Sequence, residues 1–193
     1  MRLCVIFFLL LCVRLDVMAL EIEGVDIPQD ITVFYGNKLL GLKGAAVRTS
    51  YGKVKTYVGA LYLEDIKLTE HEIFDRKDLS RKQTFYILSD RISPRRFKKF
   101  IVDGLSLNVS EAEFKEMHLR VKKLTDLLGD KFNAGSIIQF EWVPDEKVSI
   151  VIIDGTLKGE VAGYDLNSAI LKLWIGNNPV SRSLKDSFLG LNN

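Results

Sequence analysis

Cysteine is almost absent from this 193-residue chain: only Cys4 and Cys12 occur, and both lie within its first apolar segment. Removal of that segment would leave no thiol. That excludes a disulfide framework, a thiolate nucleophile and a cysteine metal site. Histidine is nearly as scarce. His71 and His118 are far apart and stand in no metal-ligand spacing, although Glu70 and Glu72 flank the first. No metal and no cofactor is therefore expected. Neither sign of charge is in excess, with 27 Lys and Arg against 25 Asp and Glu. So balanced a surface gives no reason to expect nucleic acid or an anionic membrane as partner. No serine sits in a nucleophile-elbow pattern, and Gly155, Gly159 and Gly163 are spaced for turns rather than for cradling a phosphate. The four prolines, Pro28, Pro94, Pro144 and Pro179, are well separated, and no repeat or linker divides the chain.

The first twenty residues differ from the rest. Met1-Arg2 gives a positive start, Leu3 to Val13 is an unbroken apolar run, and Val17-Met18-Ala19 supplies tolerated residues before a cleavage point. This is the three-part layout of a secretory signal peptide. The run falls short of the ~20 apolar residues that a membrane-spanning helix needs. Residues 1–19 are read as a signal peptide cut after Ala19, and residues 20–193 as one domain. No stable membrane span is expected after processing. The expected location is the periplasm, with secretion or an endomembrane lumen as alternatives.

The body of the chain divides into strand-like and helix-like stretches. Ile31-Thr32-Val33 is a short β-prone run. Lys38 to Arg48 and Lys53 to Leu63 form a long hairpin about a Tyr51-Gly52 turn, and Thr84 to Leu88 is a further strand. Ser93 before Pro94 is an N-cap followed by proline at the first helical position, with Phe97, Phe100, Ile101 and Leu105 at helical spacing. Ser110 to Glu113 is a capping box that opens a helix with Phe114, Met117, Val121, Leu124 and Leu128 on one face. Strands follow at Ser136–Val143, Val148–Ile153 and Thr156–Val161. Asp165 is read as the cap of a helix ending at Gly176, and Ser181 as the cap of a last short helix. Segregated rather than alternating elements predict an α+β domain with an antiparallel sheet and helices packed on one side.

Several of these stretches carry a family likeness. Gly44-Ala45-Ala46-Val47-Arg48 with Lys55-Thr56-Tyr57-Val58-Gly59-Ala60-Leu61-Tyr62-Leu63 is similar to the hairpin of the chalcone-isomerase fold. Ala134-Gly135-Ser136, Asp154-Gly155, Leu173-Trp174-Ile175-Gly176 and Pro179-Val180-Ser181 follow in the family's order. The likeness spans roughly residues 35–190 and is closest to the bacterial, signal-bearing branch of chalcone-isomerase-like proteins. It implies an open-faced β-sandwich: a large antiparallel sheet with a layer of helices on one face.

The resemblance also implies where a catalytic set would stand. Of the family's Arg, hairpin Thr, helical Tyr and Asn, and penultimate-helix Thr, only the arginine is kept, as Arg48. The other positions fall at Tyr57, near Phe114, near Val121 and near Leu173. Phe, Val and Leu cannot hold an ordered water or donate to a developing oxyanion. No catalytic residue is assigned, and an enzyme is not expected, although an isomerase of unknown substrate is a lesser alternative. Non-catalytic members of the family bind fatty acids, and the resemblance implies that Arg48 and Tyr57 would hold the carboxylate. A guanidinium grips a carboxylate through two N–H bonds and a phenol adds a third donor. The expectation is a non-enzymatic binder of a small apolar carboxylate such as a fatty acid, its tail between sheet and helices. The alternative is a protein-interaction or assembly factor without a ligand pocket. It would use an outer surface such as the basic cluster Arg91, Arg95, Arg96, Lys98 and Lys99. Asn108-Val109-Ser110 is a glycosylation sequon that matters only in a eukaryotic secretory route.

Overall fold

In a computed structural model, residues 19–50 and 52–191 are described. Most of the apolar leader, both cysteines and Tyr51 of the expected turn lie outside them.

A short hairpin comes first, β1 (Ala19–Ile22) against β2 (Val25–Pro28). Its turn places Glu23 at φ 55° and Gly24 at φ 75°, the doubly left-handed pair that matches the twist of a two-residue hairpin. Seven further strands build one antiparallel sheet in simple chain order. They are β3 (Asp30–Thr32), β4 (Leu39–Ser50), β5 (Val54–Leu63), β6 (Arg81–Ile87), β7 (Ile137–Val143), β8 (Val148–Ile153) and β9 (Thr156–Ala162). The helices are α1 (Glu70–Asp75) between β5 and β6, α2 (Pro94–Asn108) and α3 (Glu111–Leu127) between β6 and β7, and α4 (Tyr164–Ile175) and α5 (Arg182–Phe188) after β9.

Side-chain alternation sets the two faces of the curled sheet. Tyr57, Leu61 and Leu63 of β5, Phe85 and Ile87 of β6, Ile138 and Phe140 of β7 and Val151 of β8 meet Phe97, Ile101, Leu124, Ile170 and Trp174 of the helices in one continuous core. The opposite side chains, Val58, Ala60 and Tyr62, pack against Ile27 and Val33 with Ile22 and Val25, so the first hairpin covers that face. The expected sheet-and-helix-layer architecture is what the chain adopts.

Two glycines let α5 settle onto the hairpin. A Cβ on Gly44 would lie 1.9 Å from the Ser187 carbonyl oxygen, and one on Gly59 would lie 2.8 Å from the Phe188 ring. Ser93, Ser110 and Ser181 cap their helices as the sequence predicts, and the Ser110–Glu113 box is reciprocal.

Three expectations need correction. Helix α4 begins at Tyr164 with Gly163 at its N-cap, and no side chain caps it. Asp165 instead binds Arg120 through both oxygens at 2.6 Å. Strand β6 starts at Arg81 rather than Thr84, so Arg81, Lys82 and Gln83 are interior residues. Helix α1, opened by a Thr69–Glu72 capping box, had no counterpart in the sequence reading. Within it His71 meets Asp75 one turn later at 2.8 Å, an exposed i, i+4 carboxylate neighbour where none was expected for either histidine. Among the described residues no three His, Cys, Asp or Glu side chains converge as a metal site would require.

Candidate functional site

Arg48 and Tyr57 are direct cross-strand partners on β4 and β5. One residue further the register slips, with Thr49 opposite Lys55, so Thr56 is the extra residue of a bulge. Such an insertion bends a strand and re-aims its side chains. Thr56 is fully buried and its hydroxyl donates to the Arg48 carbonyl at 2.8 Å, fixing the bulge. Arg48 thereby leans inward toward α2, its guanidinium carbon 5.8 Å from the Tyr57 ring centroid and 5.4 Å from that of Phe100. Both separations suit a cation over an aromatic face.

Around this pair lies a recess of about 180 Å³. Tyr57, Ile92, Phe97 and Phe100 form its apolar wall, while Arg48, Ser50 and Arg96 supply polar groups. Arg48 Nη1 donates to the Ser50 hydroxyl. Its Nε is buried and, among the described residues, has no hydrogen-bond acceptor. A buried donor without a partner costs about 1–3 kcal/mol, and more when charged. Tyr57 is 1% exposed. Its hydroxyl oxygen accepts from the Trp174 indole N–H at 3.0 Å, which leaves the phenolic proton available for donation. Burial pushes this phenol up to about 12, opposed by the nearby Arg48 charge and by the Trp174 hydrogen bond. At neutral pH the group at the recess is thus a neutral O–H donor.

Beyond the recess the space between the layers is occupied. Phe85 packs on Trp174 at 4.5 Å between centroids and meets Tyr57 edge-on at 5.4 Å. Phe97 and Phe140 flank the same ring at 6.1 and 6.0 Å. An interlayer course for a ligand tail is therefore closed, contrary to expectation, because the aromatic side chains fill it. Available space lies instead along the edge. A second groove of about 360 Å³ runs between α2 and Pro179-Val180, and Arg96 and Phe100 line both.

The chalcone isomerase-like family profile matches residues 19–190. The chain belongs to the chalcone isomerase-like family. No curated protein sequence matches it significantly. Among solved structures it is similar to the crystal structure of a fatty-acid binding protein from Arabidopsis thaliana. That match has 20% identity and a TM-score of 0.63, covering 86% of this chain and 92% of the other. At this identity the likeness establishes the shared fold.

Chalcone isomerase-like architecture brings Arg48 and Tyr57 together but not the remaining family positions. Phe114 is partly buried and Val121 is in the helix-layer core, both on α3 and neither lining the recess. Leu173 lines the neighbouring groove and touches the helix at Gly104. Of the basic cluster, Lys98 pairs with Asp130 at 3.0 Å and Lys99 with Asp103 at 2.7 Å, while Arg96 reaches the recess. The sequon residue Asn108 is already engaged, its Nδ2 donating to Gly104 and Asn178 carbonyls at 3.0 Å. The part sequence reasoning missed is Trp174. Its place in Leu173-Trp174-Ile175-Gly176 marked a helix end, but its reach to Tyr57 depends on how α4 crosses β5.

Proposed function

We propose that this chain is an exported, non-enzymatic binder of a small apolar carboxylate, held by Arg48 and Tyr57. The observation that carries the reading is the buried Arg48 Nε without an acceptor, beside a phenol whose own proton is available. A guest carboxylate would accept from both groups and offset the desolvation of the guanidinium. Ile92, Phe97 and Phe100 suit an apolar body rather than a second charge. The fatty-acid binding protein of similar fold supports the same class of guest. Binding is favoured over turnover because the recess wall contains no carboxylate, imidazole or thiol to act as a general base. Export rests on the leader's basic, apolar and small-residue layout.

Solvent extraction of the purified chain, followed by mass spectrometry of the released acids, tests the reading. A carboxylic acid recovered from the wild type and lost from Arg48→Gln supports it. No acid released, together with no thermal shift on adding saturating acids, would reject it. A ligand at 100 times its Kd stabilises by about 2.7 kcal/mol, an easily measured shift.

A further inference from the structure

The wall between the Arg48 recess and the groove along α2 is made by two side chains of that helix, Arg96 and Phe100. Phe100 lines both spaces, and it is the one apolar side chain they share. Its place on α2 is held from two sides, by Trp174 at 6.0 Å between centroids and by Phe97 at 6.1 Å. From there it also faces the guanidinium of Arg48. On the recess side the space is about 180 Å³. On the far side the groove is twice as large and runs past Gly104 and Leu107 to Val180. No acidic residue lines the recess, and the groove has only Asp103, which Lys99 neutralises.

We infer that Phe100 sets the chain length of the carboxylate this site accepts, restricting the guest to short acids by closing the recess on its α2 side. The inference rests on the Arg48–Tyr57 reading above and adds the size class and the residue that imposes it. A short acid places its carboxylate at Arg48 and Tyr57 and its few carbons against Ile92, Phe97 and Phe100. A longer tail meets the Phe100 ring, since the interlayer route is filled by Phe85 and Trp174. Removal of the ring joins the recess to the groove, where Leu107, Leu173 and Val180 offer an apolar bed for more methylenes.

The experiment is titration calorimetry of the full folded chain with butanoate, hexanoate and dodecanoate, the last below its micelle threshold. Wild type is compared with Phe100→Ala and Phe100→Trp. The wild-type affinity should rise from butanoate to hexanoate and then level off or fall at dodecanoate. Phe100→Ala should continue to gain, by up to about fourfold per added methylene, as full burial of each predicts. Dodecanoate would then bind at least tenfold more tightly than to wild type. Phe100→Trp should bind butanoate and lose hexanoate, and it carries the test if the alanine variant does not fold. Equal chain-length profiles in all folded variants, or a wild-type affinity that climbs steadily through dodecanoate, would overturn the role of Phe100 and leave the Arg48 site standing. No binding of any acid to any folded variant would overturn the site itself.

Discussion

Trp174 on α4 donates its indole N–H to the Tyr57 hydroxyl on β5 at 3.0 Å, a bond that ties the helix layer to the sheet beside the recess. It also decides how the phenol behaves: the oxygen is occupied as an acceptor, so the proton is what the site can offer.

Tyr57 should titrate late. Burial raises its pKa from 10.0 to about 12, so the folded chain keeps a proton that the unfolded chain loses. Its contribution to stability is fully present below about pH 10 and is lost as pH rises from there through about 12, to a total on the order of 2 kcal/mol. Tyrosinate absorbance followed through alkaline titration should show this phenol ionising near global unfolding, and Tyr57→Phe should remove one late-titrating group. Tyr62 and Tyr86 are also raised by burial, so the difference between variant and wild type is the informative quantity. A phenol removed from the ordinary tyrosine range instead would contradict the burial.

On the opposite face Lys82 and Glu141 form an ion pair at 2.7 Å with side chains 5% and 1% exposed. Glu141 also accepts from the Phe34 N–H at 2.9 Å, and Lys82 donates to the Thr32 carbonyl at 2.9 Å. The pair therefore pins the β3–β4 connection over the sheet. Glu141→Leu leaves an uncompensated buried ammonium and should destabilise by about 3–5 kcal/mol in urea denaturation. Lys82→Met added to Glu141→Leu should recover most of that loss. Equal stability of the single variant and wild type would show that the pair is solvated.

The leader predicts processing. Chain recovered from the exported fraction should begin at Leu20, which leaves Leu20 to Ile22 to pair with β2. N-terminal sequencing reads this directly. A chain that retains Met1 and stays with the cytoplasmic fraction would contradict export.

Much of the fold was legible because local signals agreed with one another. Serine caps, the Asp154-Gly155 turn and the β-prone runs of β5, β7 and β8 each point to the same antiparallel arrangement. The reading failed where a tertiary partner overrides the local pattern. Arg81 and Lys82 look like loop residues until Asn167 and Glu141 meet them, with Arg81 Nε 2.8 Å from the Asn167 side-chain oxygen. Asp165 looks like a cap until Arg120 claims both of its oxygens. At the site, family resemblance supplied Arg48 and Tyr57, and their facing register follows from the hairpin. The size of the recess was not legible, because it depends on where α2 and α4 set the Phe100 and Trp174 rings.

The central claim is that the Arg48 guanidinium holds a guest carboxylate. Titration calorimetry of wild type, Arg48→Lys and Arg48→Gln with hexanoate tests it most directly, with hexanol as the uncharged control. Wild type should bind hexanoate and discriminate strongly against hexanol. Arg48→Lys should keep part of that preference, and Arg48→Gln should lose at least tenfold in affinity, about 1.4 kcal/mol or more. Hexanoate bound equally well by wild type and folded Arg48→Gln, or hexanol bound as tightly as hexanoate, would contradict it.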